Sequence, residues 1–398
     1  MANVKQLKHL EHLEDEMLNY GVEGCKASVS FLQELRKMLG CDDSTGFMQT
    51  KWDGAPSIIC GTDPASGMFF VGTKSVFAKT APKLCFVDSQ IDEWYEGDLA
   101  EKLKFSLKYF ADLNIKGVVQ GDLLFTKSTL RRETIHGEKL YTFRPNTITY
   151  AIPVHHPIGQ AAVRAQIGVV FHTHYAGNEL QTMQALAGAK VDGSTNALVI
   201  KNDTPMDRVG LNHQEEIKFD KHVSDIEKMC MKCGDFLDEL VTNTGKTGDE
   251  KWHVASYLKP FFNAEIKAAR TISNADTAFE NLYNFYYDKT TVMLDKIKTA
   301  STKAQKSKLV HNSQNYLRDN VYKFKSMLNL YKELQTVKQM VIDKLDHLET
   351  FKTFAQTDKG YKVTGPEGYV LHRNGDMIKF VNRLEFSYIN FTLAKQWR

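Results

Sequence analysis

Lys51-Trp52-Asp53-Gly54 places a primary amine, a carboxylate and a glycine within four residues. Set between two apolar runs, this layout lets a strand-end amine attack a phosphorus atom while the carboxylate two residues on holds metal-bound water. A hairpin turn with a solvated lysine has the same spacing, so these four residues alone do not choose between chemistry and a turn. Two stretches more than three hundred residues later are read with them: Pro366-Glu367-Gly368-Tyr369-Val370 and Ile378-Lys379-Phe380.

Other groups with chemical potential follow in the chain. Gly72-Thr73-Lys74-Ser75 is a small-residue turn that brings a second lysine near the first. Asp122 ends the apolar strand expected over Gly117-Val118-Val119-Gln120; a carboxylate there is costly unless partnered, so it is a hydroxyl or metal contact or else a turn residue. His172 and His174, at i and i+2, share one face of a strand, but no third metal ligand has suitable spacing, which favours a structural or edge role. Cys230-x-x-Cys233 lacks a second ligand pair and lies in a helical pattern, so it reads as packing.

These residues must be positioned by strands at both ends of the chain. Residues 3 to 39 carry two amphipathic helical stripes parted by the Gly21 to Gly24 stretch. From about 47 to 175 the period is that of strands. Phe47 to Thr50 leads into Lys51, and a hairpin follows over Pro56 to Val71. A helix is expected over about 97 to 112, then strands at Asn146 to Tyr150 and Gln166 to Phe171. Residues 205 to 355 read as a helical bundle. After Phe354 the strand period returns, with Asn374-Gly375 as a hairpin signal. The β material at the two ends therefore belongs to one sheet system, with the helices inserted.

The chain has 398 residues, long enough for two packed units or one elaborated domain, and its 42% apolar content supports a sizeable core. A net charge of +3 does not by itself mark a nucleic-acid binder, so any basic surface is local. The one conspicuous run is Lys296, Lys298, Lys303, Lys306 and Lys308, with Asp295 as the single nearby acid. Such a run is either a solvated helix face or a phosphate contact. Six scattered cysteines suggest reduced usage, and no segment has the length and apolarity to span a bilayer. A soluble, cytoplasmic protein is expected, in the host cytoplasm if the source is viral.

Taken in order, Lys51-Trp52-Asp53-Gly54, Gly72-Thr73-Lys74-Ser75, Gln120-Gly121-Asp122, Ile167 to Phe171, Glu367-Gly368-Tyr369-Val370 and Ile378-Lys379-Phe380 resemble the successive motifs of the covalent nucleotidyltransferase superfamily. That superfamily comprises ATP-dependent DNA and RNA ligases and mRNA capping enzymes. The Glu-Gly-Tyr-Val, the Asn-Gly turn and the following lysine most resemble tailed-phage RNA ligases of the tRNA-repairing type. The resemblance covers roughly residues 45 to 175 and 360 to 390.

It implies a ligase-type adenylation domain with an antiparallel β core over 45–204 and 356–398; with the helical N-terminal preface over 1–44 and the large helical insertion over 205–355 read from the apolar spacing, the expected fold is α+β. It implies ATP and Mg²⁺ as cofactors and a covalent lysine–AMP on Lys51. Asp53 and Glu367 would hold metal-bound waters, and Lys379 and Lys74 would neutralise the transferring phosphoryl group. Gly54, Asp122 and Phe171 complete the implied nucleotide contacts, Asp122 at the ribose and Phe171 stacked on adenine or else in the core. Two positions depart from the pattern. Asp122 stands where glutamate is usual, and Val381 stands where a second lysine is usual, with Arg383 or Lys74 as the substitute or phosphate contact weakened. Only 19 residues follow Lys379, too few for the oligonucleotide-fold domain that capping enzymes and most DNA ligases carry there. RNA ligase is thus the first expectation, with Lys303, Lys306 and Lys308 as the polynucleotide grip. A nick-sealing DNA ligase and a non-catalytic nucleic-acid-binding protein are the alternatives. Oligomeric state is not legible.

Overall fold

The computed structural model describes residues 10–40, 42–243, 252–348, 351–357 and 360–387. The protein is mixed α and β, with sheets that are almost entirely antiparallel. It forms two compact bodies. The first contains Phe47–Pro205 and Asp346–Met377; the second contains Leu10–Gly46, Met206–Leu345 and the chain from Ile378 onward.

The strands are β1 (Phe47–Lys51), β2 (Ser57–Thr62), β3 (Phe69–Gly72), β4 (Val118–Thr126), β5 (Arg131–Ile135), β6 (Glu138–Phe143), β7 (Ile148–Pro153), β8 (Ile167–Ala176), β9 (Gln184–Ala187), β10 (Ala197–Ile200), β11 (Lys352–Thr357), β12 (Gly360–Val363), β13 (Gly368–Arg373) and β14 (Asp376–Phe380). Six of them form a sheet in the order β10-β8-β4-β2-β3 with β9 beside β8, and five more run β12-β11-β7-β6-β5. The third sheet is β1-β13-β14, and the boundary between the bodies falls within β14. Among the described strands β8 and β10 pair in parallel.

The apolar runs explain these placements. In β2, Ile58, Ile59 and Cys60 are all buried, as a central strand covered on both faces requires. Ile58 and Cys60 meet Leu123, Val169, Phe171 and the helix Gly97–Phe110, whereas Ile59 meets Phe70, Val76 and Tyr175. The expected β2–β3 hairpin forms, and the Asn374-Gly375 turn has the two positive φ angles (50° and 83°) that a tight hairpin needs.

Several expectations are corrected. Asp122 is not at a strand end, because β4 runs on to Thr126 through a register irregularity at Gln120/Gly121. A Cβ at Gly121 would lie 2.5 Å from the Val170 carbonyl oxygen, so glycine is what lets β4 and β8 close there. The β5–β6 hairpin was not legible, since Arg131-Arg132-Glu133-Thr134 carries no apolar alternation. The helical stretch ends at Leu345 and a short turn to Leu348, earlier than residue 355. Leu345, Leu348 and Phe351 keep a helical spacing, but Phe351 is buried edge-on against Trp52 and begins the approach to β11. At the other end the expected parting into two helical segments is present: Glu16–Leu39 is interrupted at Gly21, which has non-helical angles (φ 61°, ψ −133°). Residues 3 to 9 of the expected first stripe lie outside the described residues.

The second body is helical: Glu16–Leu39, His213–Thr242, Ala255–Lys267, Ala275–Asp295, Ala300–Asp319 and Val321–Leu345. Cys25 and Cys230 are joined as a disulfide, which corrects the expectation of uniformly reduced cysteines; Cys233 is free and buried. At its centre lies an ionic cluster. Lys338 Nζ meets Glu14 Oε1 at 2.5 Å, and the Arg383 guanidinium donates to Asp15 (3.2 Å), Tyr331 (2.8 Å) and Asn263 (2.6 Å). Burial pushes the Glu14 carboxyl up, but Lys338 and Arg383 outweigh it and hold the group below its usual range. Glu14 is fully inaccessible, so its charge depends on these partners. Lys338→Met should therefore cost about 3 kcal/mol in urea denaturation, because it strands a buried carboxylate. The double variant Glu14→Leu/Lys338→Met should cost clearly less. Equal losses would mean that the lysine contributes packing alone.

Candidate active site

β1 pairs antiparallel with β13 so that Lys51 stands opposite Gly368. Glu367, one residue before β13, is thereby carried to the lysine across a separation of 316 residues, and Lys51 Nζ contacts Glu367 Oε1 directly. Both side chains are sheltered, the glutamate more so. Burial, then the charges of Asp53 and Asp122, push the Glu367 carboxyl up to about 7, although Lys51 pulls the other way. Burial is the largest of these influences, and it keeps the carboxyl high despite the lysine in contact with it.

Asp53 is the second member. Its backbone N–H donates to the Tyr150 hydroxyl (2.8 Å). Its carboxylate accepts from Asn146 Nδ2 (2.8 Å), Thr147 N (2.6 Å) and Ile148 N (2.8 Å). The loop entering β7 thus fixes this side chain. Burial raises the Asp53 carboxyl more than those three donors lower it. Three of roughly four acceptor positions on the carboxylate are filled, leaving room for about one further donor such as a metal-bound water. Gly54 makes the next contact: a Cβ there would lie 2.5 Å from Asp122 Cβ. The lysine loop therefore closes on Asp122 only because residue 54 is glycine.

Asp122 has a partner that sequence reasoning did not assign: His172 Nε2 lies 3.6 Å from its Oδ2. On β8, Val170 stands opposite Asp122, and His172 is the residue skipped where the register shifts between the Gln120–Thr173 and Gly121–Phe171 pairs, so strand alternation gave no signal for it. His372 of β13 is stacked on Phe47 at 4.6 Å; burial, then the neighbouring His172, holds it down at about 4, so it is neutral. Among the described residues no cluster of three or more His, Cys, Asp or Glu forms a metal cage. Asp53 and Glu367 are carboxylates, the donor type through which a hydrated Mg²⁺ is held by its waters.

The remaining expected residues are placed differently. Phe171 is 2% exposed and packs edge-to-face on Phe110 (5.6 Å) inside the core, so its ring offers no face to a base. Lys74 is exposed on the short turn Lys74–Phe77, anchored by buried Val76 and by the Thr73, Ser75 and Tyr95 hydroxyls. Lys379 belongs to the second body, half-buried on β14, with its backbone N–H donating to Glu11 O (3.0 Å). Val381 is buried, and Arg383 is committed to Asp15, Tyr331 and Asn263, so neither position offers a free cation.

The basic run also lies in the second body. The helix Ala300–Asp319 buries only Val310, Ser313 and Leu317, all in its C-terminal half. Its N-terminal half is open: Lys303 and Lys308 are exposed, as are Lys296 and Lys298 just before it, and Lys306 is half-buried. Asp295 approaches Lys303 only to 3.9 Å, so the run keeps its charge. No described helix is long and apolar enough to cross a membrane.

The chain belongs to the DUF6267 family, a family of unknown function, which it matches over residues 3–395. No curated protein and no solved structure gives a match.

The Glu367 geometry has a pH signature. Its carboxyl is held at about 7 in the native chain against an ordinary 4.5, so between those values the folded state keeps a proton that the unfolded state has lost. Stability therefore falls as pH rises through this window, and the penalty is complete above about 7. Wild type should lose stability relative to Glu367→Gln between pH 5 and pH 8, by on the order of 1 to 3 kcal/mol. Parallel curves for the two proteins would place the carboxyl in water.

Proposed function

We propose that the chain is an ATP-dependent polynucleotide ligase of the covalent nucleotidyltransferase type, acting on RNA rather than DNA. The observation that carries this reading is the contact between the Lys51 amine and Glu367, made by two strands from opposite ends of the chain whose motifs stand in the ligase order. The preference for RNA rests on the resemblance of Glu367-Gly368-Tyr369-Val370, the Asn-Gly turn and Lys379 to phage RNA ligases. An adenylation-type β core in the first body and a polynucleotide grip in the helical one belong to the same proposal.

In this reading the neutral Lys51 amine attacks the α-phosphorus of ATP. A nitrogen–phosphorus bond forms as the bond to pyrophosphate breaks. Glu367 touches the amine and has a proton affinity near neutrality, so it is suited to accept the proton that the ammonium must lose. Mg²⁺, held through waters on Asp53 and Glu367, supplies neutralising charge for the phosphates. Lys74 adds a cationic donor, and Asp122 faces the ribose. AMP then passes from Lys51 to a 5′-phosphate, and a 3′-hydroxyl displaces it to seal the strand.

One observation favours a second reading, a nucleic-acid-binding protein without turnover: the position of the usual second lysine is a buried valine, and nearby Arg383 is engaged elsewhere. Incubation with Mg²⁺ and ATP labelled at the α-phosphate should give a covalent label that Lys51→Ala abolishes. No label from any of the four nucleoside triphosphates would leave the binder ahead, and label from GTP alone would indicate capping-type chemistry.

The grip is tested separately. Replacing Lys303, Lys306 and Lys308 with Gln should weaken RNA binding and flatten its salt dependence, by about 0.7 in the slope of log affinity against log salt for each lost single-strand contact. Labelling of Lys51 should persist. Unaltered RNA affinity would assign the basic helix another task, such as docking a protein.

A further inference from the structure

Residues from three stretches, 63–65, 82–94 and 178–181, line a cleft of about 410 Å³ in the first body. It stands apart from Lys51. β2 begins at Ser57, opposite Asp122, and the cleft loop follows Thr62 at its far end, roughly 17 Å along the strand. Leu84, Phe86, Trp94 and Leu180 make its apolar lining. Leu84 and Leu180 are buried in one cluster with Phe70 and Val76, and Phe86 packs edge-on against Phe70 at 6.4 Å. Cys85 exchanges both backbone hydrogen bonds with Val71 at 3.0 Å, so this wall is fixed before anything binds.

The polar lining is of one sign. Asp63 and Glu179 face the cleft, and among the described residues no lysine or arginine does. The Asp63 carboxylate is taken up by its own loop, accepting from Ala65 N (3.2 Å), Ser66 N (3.0 Å) and Ser66 Oγ (2.6 Å). Glu179 is exposed, and its hydrogen bonds run through its backbone carbonyl, to Thr182 N (3.0 Å) and Thr182 Oγ1 (3.2 Å). Its carboxylate is therefore available to a ligand. The neighbouring cation, Lys83, is drawn over the Tyr95 ring at 5.8 Å. An indole beside a carboxylate suits a guanidinium, which stacks on the ring and donates two parallel hydrogen bonds to the acid. A phosphate would meet two carboxylates and no cation.

We propose that this cleft is a docking site for a protein partner, which inserts an arginine side chain between Trp94 and Glu179. The surroundings favour a peptide over a free amine. Met68 and Val87 are 51% and 52% exposed at the cleft's edge: the Met68 carbonyl accepts from Asp63 N (2.9 Å), and Val87 N shares Gln90 Oε1 with Phe86 N. A peptide with apolar residues flanking its arginine covers both side chains, and a small cation covers neither. The site is independent of the chemistry at Lys51, so its partner is sought without nucleotide.

The test titrates the full chain with the capped peptide Gly-Leu-Arg-Leu-Gly, its Arg→Gln version and ethylguanidinium, following the tryptophan indole signals by NMR. The arginine peptide should bind about tenfold or more tighter than the glutamine peptide, and tighter than ethylguanidinium by a similar factor. Glu179→Gln should weaken the arginine peptide by roughly threefold to tenfold and leave the glutamine peptide unchanged. Trp94→Ala should weaken both. Glu179 is exposed, so its variant stays folded and keeps the test decisive even where Trp94→Ala does not fold. Equal affinity for the two peptides, or an arginine peptide indifferent to Glu179→Gln, overturns the inference. Ethylguanidinium binding as tightly as the peptide overturns it in favour of a free cation, and no shift with any of the three probes overturns it outright.

Discussion

The pairing of β1 with β13 is the constraint on which the first body's site depends. It closes a separation of more than three hundred residues and fixes, by register alone, which carboxylate meets which amine. Period-two alternation makes that register unforgiving: a one-residue slip would turn Lys51 to the other face. Several contacts resist the slip. Met48 and Leu371 are buried opposite one another, and Phe47 stacks on His372 in the same register. Beyond the strand pair, Thr50 N–H donates to Asn202 O and Thr204 N–H to Met48 O, so β1 is held from a second direction.

Around that register three carboxyls gather near one cation: burial, then Asp53 and Asp122, raise the Glu367 carboxyl, while Lys51 in direct contact lowers it. The fold stabilises one of the three, Asp53, through three donors from the 146–148 loop, and leaves Glu367 to be stabilised by whatever cation is near.

The strands around Lys51 and Glu367 were legible because both residues lie where a strand meets a loop, and strand alternation and Asn-Gly chemistry are local signals. Lys51, Glu367 and the β13–β14 turn were therefore placed from sequence. What failed was set by contacts made far along the chain. Phe171 reads equally as a stacking ring or a core residue until Phe110 and the helix Gly97–Phe110 cover it. The partnership of Asp122 with His172 depends on the β4–β8 irregularity at Gly121, which no local pattern announces. Phe351 keeps helical spacing yet leaves the helix, because the Trp52 edge offers more burial than another turn would. Cys25 and Cys230, 205 residues apart, share no spacing signal at all.

Arg383 shows how burial decides between two roles that sequence position leaves equal. Two residues beyond the position where a second lysine is usual, it could stand in as a phosphate contact. Instead it donates to Asp15, Tyr331 and Asn263 in the interior, at 7% exposure. Each hydrogen bond from a charged group contributes about 1.5 to 3 kcal/mol, so withdrawing the guanidinium would forfeit several kcal/mol and strand the Asp15 carboxylate. One phosphate contact returns on the order of 3 kcal/mol. The balance keeps Arg383 in the core, and the valine at 381, itself buried, cannot become a lysine without burying an ammonium. In the proposed nucleotidyl transfer, cationic help for an expelled pyrophosphate would come from side chains that are not so committed, and in the first body Lys74 is exposed on a turn whose hydroxyls already fix its backbone.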